Sequence, residues 1–558
     1  MGSFLGWAFD RVLGLPPSPE PDFQRHRDLR IPLQDGVTTL ADWYRPGHSG
    51  TTPLPVVLVR TPYGHRTLLG RALGSVLARR GLQVVVQSVR GTFGSGGEFW
   101  PMHQEREDGL ATAAWLREQP WCDGRLATAG PSYLGYTQWA LGPYLDQPLE
   151  AMCLSVTTSD FPRTFYPDGS LSLYSLLSWS AQIGTQENPV LSRLRNRRQQ
   201  EARTERAMAT LPLRGADSAA IDKPVRFWQE VTEHAEPGDD FWKPIDHRPL
   251  VPELTTPTSM VTGWYDLFLP AQLDDFATLR TAGRTTRITI GPWAHADPAN
   301  LKLMFTDSAS WLTAHLGGNT SELNRSPVRL YLQQADRWLD FASWPPAEAT
   351  RTRIHLHGGR RLDWTQPAGQ ASAGQSDGFD YDPADPTPSI GGPLLSGKTK
   401  QHDNRAIEAR SDVLIFTSGL LESDLDLVGE LEATVYLRTE LGHGDLFVRL
   451  CDVDRRGVSR NVCDGLVRMR AGDLEPAEDS SVAARIRMYP TGYRFRRGHR
   501  LRVQVAGGAF PRFARNHGTE EPIADAVTTV RNHYEILHDA DHPSHLVLPV
   551  LSGGPRQG

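Results

Sequence analysis

Two textures of hydrophobic patterning divide this chain. Over residues 53–158, short apolar runs take turns with stretches of helical periodicity. "LPVVLV", "LQVVVQSV", "GRLATAG" and "LEAMCLSVTT" lack a strict polar alternation, as strands buried on both faces do. Between them, "RTLLGRALGSVLARRG" sets Leu69, Leu73, Val76 and Leu77 at helical spacing and stops at Gly81. "EREDGLATAAWLREQ" predicts a helix with acids in its first turn, and "YLGYTQWALG" predicts another. Strand–helix alternation predicts a parallel sheet with helices on both faces. Ahead of it, residues 28–45 read as a hairpin turning at "QDG".

The alternation lapses over 159–245. Aromatic pieces such as "LSLYSLLSWSAQ" and the basic run "RLRNRRQQEARTER" (193–206) predict a helical insertion, the basic run being a solvated helix face. Sheet texture resumes in "PTSMVTGWYD" (257–266) and "TRITIGPWAH" (286–295), with a helix between them and another near 299–316. Beyond about residue 325 the period drops to two, as in "VRLYLQ", "TRIHLHG", "ATVYLRT" and "SHLVLPV". Leu501, Val503 and Val505 face one way and Arg502 and Gln504 the other, which predicts an antiparallel sandwich or jelly roll. Residues 366–392 read as a long Gly/Pro/Ser/Asp loop within it. The expected organisation is α/β. A sheet-and-helix domain covers 1–158 and 246–322, a helical cap is inserted at 159–245, and a jelly-roll-like β-sandwich follows over 323–558.

A length of 558 residues suits two or three domains, and 39% hydrophobic with 22% charged residues describes a globular protein. The net charge of −6 argues against nucleic acid as a main partner, since phosphate binding needs a basic face. Four scattered cysteines, Cys122, Cys153, Cys451 and Cys463, form no metal knuckle and no disulfide framework; the last two could be unbridged neighbours across a hairpin. The opening "MGSFLGWAFDRVLGLPP" carries Asp10 and Arg11 inside its apolar part. It reads as an amphipathic helix docked on the body rather than a signal peptide, and Gly6 breaks the myristoylation pattern. No uncharged apolar run reaches the ~18 residues of a membrane span. The expectation is a cytoplasmic protein with no metal, no cofactor and no membrane or nucleic-acid partner.

The candidate chemistry lies in "AGPSYLGYTQW" (129–139), where a strand meets a helix. A nucleophile elbow reads G-x-S-x-G; here Gly130 precedes Ser132 as required, but Gly135 comes one place late. A serine hydroxyl needs a base, usually a histidine oriented by a carboxylate. His295 and Asp266 each follow a predicted strand, where such groups sit in a doubly wound sheet. The order Ser132, Asp266, His295 is that of α/β-hydrolases. The Tyr133 N–H and the Tyr63 hydroxyl, in the loop after "LPVVLV", could hold an oxyanion. Taken singly, an Asp placed like Asp266 is more often a helix cap and a His placed like His295 more often a loop or packing residue, while Tyr63 reads equally as a packing aromatic. "VRGTFGSGGEF" lacks the GK[ST] of a phosphate loop and reads as a tight structural turn.

"RTPYG", "SVRGTFGSGGEF", "LREQPWCDGRLATAGPSYLGYTQW", "GWYDLF" and "GPWAH", with "YRFRRGHRLRVQVAGGAFPRFARN" further on, together resemble the cocaine-esterase-like (CocE/NonD) branch of the X-Pro dipeptidyl-peptidase-like serine hydrolases. The resemblance weakens over 160–245. It implies an α/β-hydrolase domain, a helical cap and a jelly-roll-like third domain. It also implies Ser132, Asp266 and His295 as triad and Tyr63 and Tyr133 as oxyanion hole. Members acting on α-amino acyl groups carry carboxylates near the acid, whereas Asp266 is followed here by Leu267, Phe268 and Leu269. An ammonium there would lose water without gaining a counter-charge. The expected substrate is a small ester with a neutral, fairly apolar acyl group, with Phe268 against it; Phe165, Tyr174 and Trp179 of the cap either line the pocket or pack the cap. The alternatives are an X-Pro dipeptidyl-peptidase or α-amino acid ester hydrolase, and an inactive carbohydrate-binding protein. The oligomeric state is left open.

Overall fold

A computed structural model describes residues 10–12, 14, 15, 18, 22–47, 49–236, 238–318, 320–368, 376–472 and 477–551. Most of the expected N-terminal amphipathic helix, and residues 369–375 of the expected 366–392 loop, lie outside the described residues; within that expected loop Ser376–Tyr381 is instead a strand, paired antiparallel with Asn532–Leu537. The chain forms two compact units. The first comprises residues 1–161, 240–263 and 271–329, and the second 162–239, 264–270 and 330–558.

The sheet of the first unit contains β1 (Phe23–Pro32), β2 (Thr38–Pro46), β3 (Leu54–Thr61), β4 (Gln83–Ser88), β5 (Cys122–Pro131), β6 (Ala151–Ser155), β7 (Thr258–Tyr265, its last two residues counted with the second unit) and β8 (Thr286–Ala294). They lie in the order β1-β2-β4-β3-β5-β6-β7-β8. The expected hairpin is β1 paired antiparallel with β2, and β4-β3-β5-β6-β7 are parallel. Three helices matter for the site: α1 (Leu68–Ala78), α2 (Glu105–Arg117) and α3 (Tyr133–Trp139).

The missing polar alternation has a direct cause in the packing. Val57, Val59, Val84, Val86, Ala127 and Ala129 pack in one core with Leu73, Val76 and Leu77 of α1 and with Phe305, Leu312 and Leu316. Their neighbours Val56, Leu58, Val85 and Leu126, pointing to the opposite face, are buried as well. Each of these valines and leucines contributes roughly 1.5–3 kcal/mol by leaving water. From β3 the chain steps to β4 on one side and then back across to β5 on the other. That reversal opens a crevice beyond the carboxyl ends of β3 and β5, where ligands bind in open α/β sheets. The "VRGTFGSGGEF" loop is a tight turn closed by the Gly91 N–H on the Gly96 carbonyl at 2.9 Å.

The second unit carries helices over Leu173–Thr185, Val190–Ala207, Ala216–Ile221 and Arg226–Glu233. The basic Val190–Ala207 helix is mostly exposed, as its composition predicts. Phe165 and Trp179 both pack edge-on against Phe227, with ring centroids 5.6 and 4.8 Å away. An all-β part follows, with eleven strands among the described residues, antiparallel there except where Arg361–Asp363 pairs with Val413–Ser418. Leu501, Val503 and Val505 face its core with Phe416, Leu446, Val448 and Leu450. The opposite, polar face is not left to solvent. Every residue of Gly444–Val453 is buried. On it Arg449 Nη2 lies 2.9 Å from Asp464 Oδ2, Arg512 pairs with the other Asp464 oxygen, and Arg449 Nη1 donates to the Ile390 carbonyl and to Asn404 Oδ1.

The four cysteines are free and buried. Cys463 stands opposite Leu450, and a bulge sets Cys451 opposite Asn461, so the two thiols are out of register. The 264–270 segment joins the second unit through three hydrogen bonds. Trp264 Nε1–H donates to the Tyr331 carbonyl at 2.7 Å, the Tyr265 hydroxyl to Gln333 Oε1 at 2.7 Å, and the Tyr489 hydroxyl to the Leu267 carbonyl at 3.2 Å. No helix among the described residues is long and apolar enough to cross a membrane.

Candidate active site

Ser132 links β5 to α3 with φ 57° and ψ −124°, a conformation that a side-chain-bearing residue holds only under strain, at a cost of about 1–3 kcal/mol. Its N–H donates to the Ser155 carbonyl at 2.9 Å, and its own carbonyl accepts the Gly135 and Tyr136 N–H groups at 2.8 and 3.0 Å. The strain is therefore imposed from both sides. The two glycines admit this geometry by close approach. A Cβ on Gly130, itself at φ +150°, would stand 2.5 Å from Leu134 Cβ, and one on Gly135 would stand 2.3 Å from Thr157 Cγ2. Gly135 is the place where α3 rests on the segment leaving β6, which accounts for a glycine three residues after the serine.

Gln138 fastens the turn further. Its amide donates to the carbonyls of Gly130, Leu134 and Cys153 at 3.2, 3.2 and 2.9 Å, and its oxygen accepts from the Thr128 hydroxyl at 2.9 Å. Nothing in the local sequence marks this role, because the partners become neighbours only when β5, β6 and α3 assemble.

His295 is the first residue after β8, and its Nε2 lies 3.0 Å from Ser132 Oγ. Asp297, two residues on, caps the following helix by accepting the Ala299 N–H at 3.0 Å, so the connection bearing His295 is short and anchored at both ends. The structure thus brings Ser132 and His295 to hydrogen-bonding distance. Tyr63 follows β3, the neighbour of β5; it is half-buried on the first unit's core, with its N–H on Thr61 Oγ1 at 3.1 Å. The Tyr133 ring is buried, and its hydroxyl donates to Glu105 Oε1 at 2.7 Å while accepting the Met102 N–H at 2.8 Å. Asp266 and Phe268 belong to the second unit. Asp266 directly follows β7, is fully buried, and accepts the Phe268 N–H at 2.8 Å. Phe268 is buried too.

Glu105 and Arg60 were not singled out by the sequence. The acids opening α2 read as a helix N-terminus, yet Glu105 is buried, 2.9 Å from Arg60 Nη2. Among the described residues one group could offer ligands to a metal, Asp28, Asp42 and His65. The Asp42 carboxylate already accepts from Arg25 and lies 3.6 Å from Arg66 Nε, and those two guanidinium charges oppose a cation.

Residues 35–297 match the family model for X-Pro dipeptidyl-peptidase (S15 family), and 323–547 that for the X-Pro dipeptidyl-peptidase C-terminal non-catalytic domain. The chain is 32% identical to the cocaine esterase of Rhodococcus sp. (strain MB1 Bresler), over 94% of this chain and 98% of that one. In fold it is similar to an alpha-amino acid ester hydrolase (TM-score 0.78, 20% identity, 95% of this chain and 97% of that one). It is also similar to a CocE/NonD family hydrolase from Staphylococcus aureus (TM-score 0.68, 18% identity, 95% and 93%). With an α/β first domain, an all-β C-terminal domain and a serine on a strand-to-helix elbow, the chain belongs to the cocaine-esterase-like branch of the S15 X-Pro dipeptidyl-peptidase family of hydrolases.

Proposed function

We propose that this hydrolase is a serine esterase acting on small esters with neutral, fairly apolar acyl groups. The observation that carries the reading is the 3.0 Å contact between Ser132 Oγ and His295 Nε2 at a strained elbow. Ser132 attacks the ester carbonyl while His295 takes its proton, then returns that proton to the departing alcohol. A histidine that accepts at Nε2 carries its proton at Nδ1, and Asp266 is assigned to receive that N–H and to steady the imidazolium. The Tyr63 hydroxyl and the Tyr133 N–H hold the developing oxyanion, each worth roughly 3–4 kcal/mol in the barrier. Water, activated by His295, then releases the acyl group.

The acyl preference rests on Leu267, Phe268 and Leu269, which put apolar side chains immediately after the acid. Ser132→Ala is expected to abolish hydrolysis of an activated phenyl ester and labelling by a fluorophosphonate. Retention of both would overturn the assignment. The family match favours a second reading, a dipeptidyl-peptidase or α-amino acid ester hydrolase. Faster turnover of an Ala-Pro anilide than of a butyrate ester would establish that reading and remove the first.

A further inference from the structure

The Tyr133 side chain is clamped at its far end by two groups. Its hydroxyl donates to Glu105 Oε1 and accepts the Met102 N–H, at 2.7 and 2.8 Å. Burial first, and the Glu105 charge second, push the phenol well above its usual range, so it stays a protonated donor. Met102 sits at φ +72°, a strained value for a residue with a side chain, and its carbonyl accepts the Tyr136 hydroxyl at 3.1 Å. One strained residue thus engages both tyrosines in the first turn of α3, one through its N–H and the other through its carbonyl. Glu105 is held in turn by Arg60, whose Nη2 lies 2.9 Å from Oε2, whose Nη1 donates to the Glu105 carbonyl at 2.7 Å and whose Nε donates to Gln87 at 3.1 Å. A Cβ on Gly109 would stand 2.9 Å from Arg60 Nη1, so α2 closes over this guanidinium where it has no side chain.

A buried ion pair is a costly way to fill space, since apolar groups of similar volume pack at least as well. What it supplies here is direction. Glu105 Oε1 accepts the Tyr133 O–H along one line, and Arg60, against Oε2, fixes the carboxylate that does so. Tyr133 is also the residue after the nucleophile, and its peptide N–H is the proposed oxyanion donor. We propose that Glu105, fixed by Arg60, is a positioning residue for catalysis: it holds the Tyr133 ring from behind and so aims the Tyr133 N–H at the oxyanion. This inference rests on the esterase reading above. An oxyanion donor acts chiefly in the transition state, so misaiming it lowers kcat and leaves KM nearly unchanged.

The test uses the full chain with Tyr133→Phe, Glu105→Gln and Glu105→Leu, active sites being counted with a fluorophosphonate. Phenylboronic acid serves as the transition-state analogue, since its serine adduct is tetrahedral and places an oxygen in the oxyanion hole. Tyr133→Phe is expected to lower kcat for a p-nitrophenyl ester about 10- to 100-fold, with KM within about twofold and phenylboronate affinity falling in parallel. Glu105→Gln, which keeps an acceptor for the phenol, should recover much of what Glu105→Leu loses. If Glu105→Leu does not fold, Tyr133→Phe alone still decides the matter. Unchanged kcat per titrated site and unchanged phenylboronate affinity in Tyr133→Phe would overturn the inference, leaving the pair a purely structural one. The underlying reading fails separately: a Ser132→Ala variant that still hydrolyses the ester removes that reading and this inference with it.

Discussion

Thr157 Cγ2 stands 2.3 Å from the position a β-carbon would take on Gly135, and Thr157 Cβ stands 2.5 Å from it. The helix that follows Ser132 is thus seated directly on the segment leaving β6. Gly135→Ala must push the two apart, at a cost of roughly 1–3 kcal/mol. The urea midpoint should fall, and kcat should fall with it as the elbow shifts. Adding Thr157→Ala should restore only part of the loss, because the threonine Cβ clashes as well as its methyl. Full restoration, or no loss in the single variant, would contradict this seating.

Asp275 is fully buried and accepts three hydrogen bonds from the chain leaving β6. Thr158 Oγ and the Ser159 N–H donate at 3.0 and 2.9 Å to Oδ2, and Ser159 Oγ donates at 2.5 Å to Oδ1. Desolvation pushes its carboxyl from 3.8 up to about 7, outweighing the donors, which lower it. The folded protein therefore binds this proton more tightly than the unfolded chain does. The resulting stability is complete below the ordinary carboxylate range and is lost as pH rises towards about 7. Urea unfolding of the native chain and of Asp275→Asn, compared at pH 5 and pH 8, should show the native chain losing more, by on the order of 1–3 kcal/mol. Equal pH slopes in the two proteins would refute the shift.

In the all-β part, Asp464 stands between Arg449 and Arg512, all three almost wholly buried, whereas the Arg351–Glu432 pair is half exposed. Asp464→Ala leaves two buried guanidinium groups without their carboxylate and should cost about 3–5 kcal/mol. Glu432→Ala should change stability by less than about 1 kcal/mol. Thermal unfolding of the two variants side by side checks the contrast, and similar losses would contradict it.

Phe268 is assigned to the acyl group on its place two residues after Asp266. Phe268→Ala should lower kcat/KM for a benzoate ester about 10-fold more than for the matching acetate ester, the usual scale for loss of an apolar pocket wall. Equal losses on both esters would assign the ring to packing alone.

The parts of the fold that follow from local pattern were readable. Val56 to Val59 and Gln83 to Ser88 formed the expected buried strands, and the glycine after "LARR" ended α1 at φ +83°. The elbow serine was legible because the turn brings its own composition. What stayed hidden depends on partners far along the chain. Glu105 looked like a helix-opening acid because its counter-ion, Arg60, arrives 45 residues earlier on β3. Gln504 lay on the face expected to be polar, and that face proved to be covered: the residue is buried and donates to Glu408 at 2.9 Å. Period two tells which side a residue takes; what covers that side is set by loops whose sequence carries no period.

The short 264–270 segment bears on how this enzyme could be shortened. It carries the proposed catalytic acid, yet Tyr331, Gln333 and Tyr489 bind it, and the Trp264 ring fills the space that a Cβ on Gly492 would need. A fragment ending near residue 322 would keep Ser132, Asp266 and His295 in its sequence while losing every one of those supports. Such a fragment should label poorly with a fluorophosphonate even if its parallel sheet forms. If Asp266 is the acid as proposed, the module named for lacking catalysis holds that acid in place, and activity is expected to be lost from any fragment cut from the N-terminal half.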